Sequence, residues 1–183
     1  MPNIKIVMTR HMIAILTALI VYQQEKKLDV NLPLGLEFAF SEGNASRLSK
    51  KCSRVVKNAM GTHAYPSSPL LKYSDIELHN FSQCCHSASM YDLQSLKLSI
   101  SQKIEEHFGT NQPLDDSGLV FLFHKIFNSS SPGLVRPLLT EVVSLIVFKL
   151  AKVGTVSLPY GVELKIKKNR SSFDLVVSNL DAF

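Results

Sequence analysis

The apolar run from Met12 to Tyr22 constrains the fold of this chain more than any other feature of its sequence. A run of this length is too short to cross a bilayer, which takes about 20 consecutive apolar residues. The basic residues before the run imitate the start of a secretory signal, but no small-x-small cleavage site follows Tyr22. The sequence therefore predicts a largely buried helix over residues 9–27, and neither a membrane span nor a membrane partner is expected.

Length and composition limit the number of domains. The chain has 183 residues, of which 45% are hydrophobic and 19% are charged. This is enough for one ordinary domain, or for one domain and part of a second. The formal net charge of +5 favours polyanionic partners such as nucleic acid, although many proteins with such an excess never contact them.

The cysteine count bears on the cellular compartment. Three cysteines cannot complete a disulfide framework within the chain, so reduced thiols in the nucleus or cytosol are the simpler interpretation. Four Asn-x-Ser sequons favour the alternative of a secreted glycoprotein, which would require the N-terminal run to be cleaved and the sequons to be occupied. These sequons begin at Asn44, Asn80, Asn128 and Asn169.

The chain divides into three segments. Residues 1–60 are predicted to form a helix–strand–helix region, with its strand at 34–40 and a basic second helix. Residues 61–89 are rich in serine, contain proline and lack periodicity, which indicates an irregular connection. Residues 90–183 are predicted to form the third segment.

Within this last segment the apolar spacing predicts three helices and then two strands joined by a hairpin turn. The fold class is therefore predicted to be α+β: mostly helical, with a C-terminal antiparallel hairpin packed on a helix. The helices are predicted at 91–108, 116–127 and 134–152, and the strands at 162–167 and 173–177.

Five basic residues share one face of the predicted second helix, because their offsets of 0, 3, 4, 7 and 10 match the helical period. Cations grouped on a rigid helix can contact phosphates, which predicts sequence-neutral and salt-dependent DNA binding. The alternative is an ordinary solvated outer face. The five residues are Arg47, Lys50, Lys51, Arg54 and Lys57.

Other groups of polar residues do not form a convincing catalytic or metal motif. The cluster His79, Cys84, Cys85 and His86 lacks the Cys-x-x-Cys spacing of common zinc sites, and adjacent cysteines rarely ligate one metal well. The pair at 115–116 is better explained as helix capping than as an acid–base pair. A phosphate-binding glycine motif is also missing from the sequence, so no metal and no catalytic residue is predicted.

The order helix, short loop, strand, hairpin turn, strand over residues 117–183 resembles the ATP-site end of a GHKL-type ATPase. The stretches involved are Pro137–Leu145, Gly154–Pro159, Val162–Lys168 and Phe173–Ala182. They are most similar to the B subunit of type VI DNA topoisomerases. In that family the helix has an E-x-x-x-N motif, and the last strand leads into D-x-G-x-G.

The resemblance implies a nucleotide site in which most of the residues that bind ATP and Mg²⁺ have been replaced. Glu141 matches the glutamate that acts as a base on the attacking water, whereas Leu145 replaces the metal-holding asparagine and cannot ligate Mg²⁺. Ser178 replaces the adenine-reading aspartate, and Asn179 matches a residue often found beside it. Leu180 and Ala182 replace the two glycines. Binding of ATP and Mg²⁺ is therefore expected to be lost, with no cofactor in its place.

Such a degenerate domain resembles the meiotic B-like proteins of topoisomerase VI-type complexes. The resemblance implies a nuclear, chromosome-associated subunit without activity of its own. It would support double-strand break formation in meiotic recombination and engage DNA, while a separate tyrosine-bearing A-like subunit cleaves it. The alternatives are a helical protein–protein adaptor without ATPase ancestry and the secreted glycoprotein.

Overall fold

The first helix, α1 (Ile4–Lys26), is buried on every side over the apolar run. The computed structural model of the chain describes residues 4–38, 40, 73–109, 116–127, 132–168 and 173–179. From Met12 to Val21 no side chain of α1 is more than 6% exposed. Each large aliphatic side chain buried in this way contributes about 1.5–3 kcal/mol to folding. The predicted buried helix is confirmed, and among the described helices none is long and apolar enough to cross a membrane.

A small irregular hairpin follows α1. Strand β1 (Val30–Asn31) pairs antiparallel with β2 (Glu37–Phe38), and a 3-10 turn over Pro33–Gly35 connects them. The predicted strand over residues 34–40 is therefore only partly correct. The turn interrupts it because Leu34 adopts a left-handed conformation with φ of 64°, which lies outside the β region of a strand.

The predicted irregular connection over residues 61–89 is wrong in its last part, where helix α2 (Asp75–Ser87) lies. A capping box starts this helix: the Ser74 hydroxyl accepts from the Glu77 N–H, and the Glu77 carboxylate accepts from the Ser74 N–H. The buried face of α2 consists of Leu78, Phe81 and Cys85, at the spacing of a helix. The described residues of this segment thus include a docked helix in place of the loop.

The next two helices confirm the sequence prediction. Helix α3 (Leu93–His107) begins at Asp92, whose carboxylate accepts a hydrogen bond from the Ser95 N–H. Gly109 follows it with φ of 75°, a conformation that favours glycine. Helix α4 (Asp116–Phe127) packs against α3.

Helix α5 (Val135–Val153) contacts most of the other elements. Pro137 falls in its first turn, where a missing N–H has little effect, and Gly154 ends it with φ of 91°. The helix packs against α1, α2, α4 and the first strands of the C-terminal sheet. The buried Ser144 hydroxyl is hydrogen-bonded to the Thr140 carbonyl at 2.7 Å, which lowers the cost of enclosing it.

The C-terminal sheet has three antiparallel strands in the order β3 (Thr155–Ser157), β4 (Val162–Lys168) and β5 (Phe173–Asn179). The predicted hairpin of two strands on a helix is confirmed, and β3 is an additional strand that falls in the predicted loop. The fold is therefore α+β and mostly helical. The turn residues 169–172 lie outside the described part of the chain.

A hydrogen bond from Tyr160 connects this sheet to the helices. The Tyr160 hydroxyl donates to the Tyr91 carbonyl at 2.7 Å, at the junction between α2 and α3. Burial raises the pKa of Tyr160 to about 12, so the hydroxyl stays a donor at neutral pH.

One hydrophobic cluster includes buried side chains from the predicted first segment and from the predicted third segment. The two segments thus share a core.

The predicted basic helix falls on residues that the structure does not describe. Leu180 and Ala182 of the degenerate nucleotide site also lie outside the described residues. The predicted DNA-contact residues of the basic helix, all outside the described residues, are Arg47, Lys50, Lys51, Arg54 and Lys57.

The environment of His11 predicts acid sensitivity. Its ring stacks on Tyr91 at 4.6 Å and contacts the edge of Phe127 at 4.8 Å, and burial lowers the pKa of His11 below its usual 6.5. The unfolded chain therefore binds this proton more readily than the folded chain does. The free energy of unfolding is expected to fall as the pH drops below about 6.5, towards the folded pKa. Urea denaturation over a pH series measures this fall.

The variant His11→Phe keeps an aromatic ring but cannot take up a proton, so its stability should fall less with acid. His86→Phe, which changes an exposed histidine on α2, is the matched control and should fall as steeply as the wild type. If the free energy of unfolding falls equally steeply with acid in the wild type and in His11→Phe, His11 is not the source of the acid sensitivity.

Candidate functional site

Glu141 and Leu145 are one turn apart on α5, and both line a cavity of about 240 Å³. The other walls come from α1, from α2 and from Tyr73, which lies two residues before α2. The floor is apolar, and its side chains are almost fully buried, since Phe81 is 3% exposed and Leu145 is 7% exposed. The lining residues that the structure describes are Thr9, Tyr73, Glu77, Asn80, Phe81, Cys84, Glu141 and Leu145.

Tyr73 places a phenol beside the two carboxylates of the cavity. Its ring meets Phe148 edge-on at 5.6 Å. Burial raises the pKa of Tyr73, a hydrogen bond with Ser144 opposes that rise, and the negative charges of Glu141 and Glu77 add to it. The fields of both carboxylates therefore reach the same hydroxyl.

The capping box holds Glu77 in position at the N-terminus of α2. Its Oε1 accepts from the Ser74 N–H at 3.1 Å and is 3.1 Å from the Ser74 hydroxyl oxygen. A carboxylate in the first turn of a helix also interacts favourably with the positive end of the helix dipole. The helix geometry thus favours an anionic group at the rim of the cavity.

The environment of the cavity thiol, Cys84, disfavours its thiolate form. Burial raises the pKa of Cys84, and the positive charge of Arg10 only partly opposes that rise. Burial also raises the pKa of the neighbouring Cys85 to about 12. A thiol needs its thiolate form for attack or for metal binding. Within the described ranges, no group of three or more His, Cys, Asp or Glu could hold a metal ion.

Ser178 lies elsewhere, on strand β5 opposite Glu163 of β4. Cross-strand partners point to the same face of a sheet, and side chains alternate along each strand. Leu164 is fully buried, whereas Lys165 is exposed. Ser178 therefore shares the outer face with Glu163 and Lys165.

The structure thus brings Glu141 and Leu145 together and leaves Ser178 apart from them. Asn179 ends β5, where it pairs with Val162. In an ATP site the glutamate and the adenine-reading residue must face one ligand, and here the glutamate faces α1 and α2. The degenerate nucleotide site stays a prediction from the resemblance.

Of the residues that line this cavity, sequence reasoning assigned only Glu141 and Leu145 to a site, and Tyr73 and Glu77 are among those it missed. The capping-box spacing from Ser74 to Glu77 was a signal for the start of α2. Nothing in the sequence pattern indicated that α2 would lie against the Glu141 face of α5.

Comparison with known proteins gives no match at any level: no protein-family model, no curated protein and no solved structure matches this chain. The description of the site therefore depends on its own geometry.

The cavity electrostatics predict a measurable change in Tyr73. Because the Glu141 carboxylate raises the pKa of Tyr73, the variant Glu141→Gln should lower that pKa. The ¹³Cζ shift of Tyr73, assigned with Tyr73→Phe, reports the titration by NMR. The control variant Glu163→Gln on β4 removes one negative charge at a different place and should leave the pKa of Tyr73 unchanged. An unchanged pKa in Glu141→Gln would show that the carboxylate does not face the phenol.

Proposed function

We propose that this chain is a non-catalytic subunit of a larger complex, and that the complex is a DNA-breaking assembly of the topoisomerase VI type. In this proposal the chain is the B-like subunit, and a separate A-like meiotic subunit provides the tyrosine that cleaves DNA. The complex acts on chromosomes in the nucleus, where its breaks start recombination.

The observation that most directly supports a non-catalytic role is the charge of the cavity beside Glu141. Its described lining contains two carboxylates and no lysine, arginine or histidine. A nucleoside triphosphate such as ATP is strongly anionic, and like charges a few ångströms apart repel each other. Leu145, at the metal position of the resemblance, offers no oxygen to Mg²⁺. Neither ATP nor Mg²⁺ is therefore proposed as a cofactor.

The proposed DNA contact depends on the five cations of the predicted basic helix. Contacts between such residues and phosphates do not read sequence, and they weaken steeply with salt because counterions are released. A subunit of a DNA-breaking complex needs this kind of contact to stay on any duplex that its partner cleaves.

A second candidate function is a helical protein–protein adaptor without ATPase ancestry. It is favoured by the separation of Glu141, which faces two helices, from Ser178, which lies on the outer face of the sheet. An adaptor of this kind would bind its partner through helix surfaces, and it would need neither DNA nor the A-like subunit.

Co-expression with an A-like cleavage subunit tests the partner. The proposal predicts that the two chains co-purify through size exclusion and that the pair binds duplex DNA. If the chains separate while this chain is folded, the adaptor is the better account.

The DNA contact predicts a specific salt dependence. Removing two phosphate contacts with Lys50→Ala/Lys51→Ala should reduce the slope of log K against log salt by about 1.8. The matched control is Lys165→Ala/Lys167→Ala on β4, which removes the same charge from two exposed positions. Fluorescence anisotropy on a duplex measures both slopes. Equal reductions in the two variants would mean that net charge, and not the basic helix, determines binding.

A further inference from the structure

Strand β5 forms one edge of the C-terminal sheet. Its seven residues, Phe173–Asn179, all pair with β4, and among the described residues no strand lies on the other side of β5. Such an edge presents backbone N–H and C=O groups without a ladder partner, and a further strand can bind them.

The sequence of β5 has few of the features that protect an exposed edge. Natural edge strands are often shielded by lysine, by proline or by being very short. Strand β5 is seven residues long, contains neither lysine nor proline and has one charged residue, Asp174. A strand of this length and composition is therefore able to pair with another strand.

The inner face of the sheet has apolar surface next to this edge. Leu164 of β4 is fully buried, whereas its cross-strand partner Val177 packs against the core and is only partly buried. A side chain placed beside Val177 on an added strand would cover the surface that Val177 still exposes. This position therefore favours an apolar residue.

The outer face of the sheet has a positive charge within reach of the same edge. Lys165 of β4 is exposed, and its cross-strand partner is the uncharged, partly buried Val176. None of the ion pairs between described residues involves Lys165. An added strand would lie about 10 Å from β4, at two strand spacings, and the four-carbon stem of lysine extends over the valine between them. A carboxylate beside Val176 would therefore complement Lys165.

We propose that the free edge of β5 binds an extended segment of a partner protein as a fourth strand, and that this segment has an acidic residue beside Val176 and an apolar residue beside Val177. Main-chain hydrogen bonds hold the segment, and the alternating side chains select it. The inference goes beyond the proposed function and does not depend on it, since it concerns an edge of the isolated chain.

The test is an NMR titration of the 183-residue protein with the blocked heptapeptide Val-Thr-Val-Glu-Val-Thr-Val. Saturable shifts of the amides from Val176 to Ser178 are expected. The analogue with lysine in place of glutamate should bind about threefold more weakly, as opposite charges across strands stabilise their pairing and like charges destabilise it.

Two further analogues of the heptapeptide test the backbone pairing. One is N-methylated at its valines, and the other is N-methylated at its threonines and its glutamate. Because alternate N–H groups of a strand point to opposite edges, one analogue should lose binding while the other keeps it. The proposal is overturned if the parent peptide gives no saturable shifts, or if the two methylated analogues bind alike.

A charge reversal tests the role of Lys165. Lys165→Glu should weaken binding of the glutamate peptide and strengthen binding of the lysine peptide, each by about threefold. Lys26→Glu, at an exposed position near the end of α1, is the matched control and should keep the wild-type preference. If Lys165→Glu is folded by circular dichroism and still prefers the glutamate peptide, the proposed acidic residue is wrong.

The chain without peptide tests the other occupants of this edge. Sedimentation equilibrium should show a monomer, and hydrogen exchange should be fast for the amides of β5 that point away from β4. A dimer whose formation shifts the Val176–Ser178 amides would mean that a second copy occupies the edge. Slow exchange of all these amides in a monomer would mean that the chain covers its own edge. Either result would overturn the proposal.

Discussion

The burial of α1 is the constraint on which the rest of the structure depends. A helix that is apolar on all sides over Met12–Val21 must be enclosed, and here α2, α3 and α5 enclose it. Its one buried hydroxyl in that run, on Thr17, is hydrogen-bonded to the Ile13 carbonyl at 2.8 Å, so little polar surface opposes the burial. Because α2 and α5 both pack on α1, they converge, and the cavity beside Glu141 lies where they meet.

The parts of the fold that could be predicted from the sequence depend on local patterns. The length of the apolar run, the alternation in Val162–Lys168 and the glycine at 154 each act over a few residues, and the structure agrees with them. Helix α2 was not predicted because serine is abundant around its capping box, and serine is as typical of loops as of helix starts. Strand β3 was missed because three residues are too few for alternation to be visible.

The candidate site was less predictable, because it is made by tertiary contacts. The resemblance selected Glu141 and Leu145, which line one cavity, and also Ser178, which lies on the outer face of the sheet. No pattern along the chain could show that Glu77 would approach Glu141, since that distance depends on how α2 packs on α5. The physical character of the cavity, two carboxylates over an apolar floor, therefore comes from the structure.

The central claim is that the cavity beside Glu141 does not serve nucleotide chemistry. Isothermal titration of the 183-residue chain with ATP, in the presence and in the absence of Mg²⁺, tests it most directly. The account predicts no saturable heat under either condition, because like charges repel and Leu145 cannot hold the metal. Saturable, Mg²⁺-dependent binding that Glu141→Gln abolishes would contradict the account, and it would mean that a nucleotide site survives beside α5.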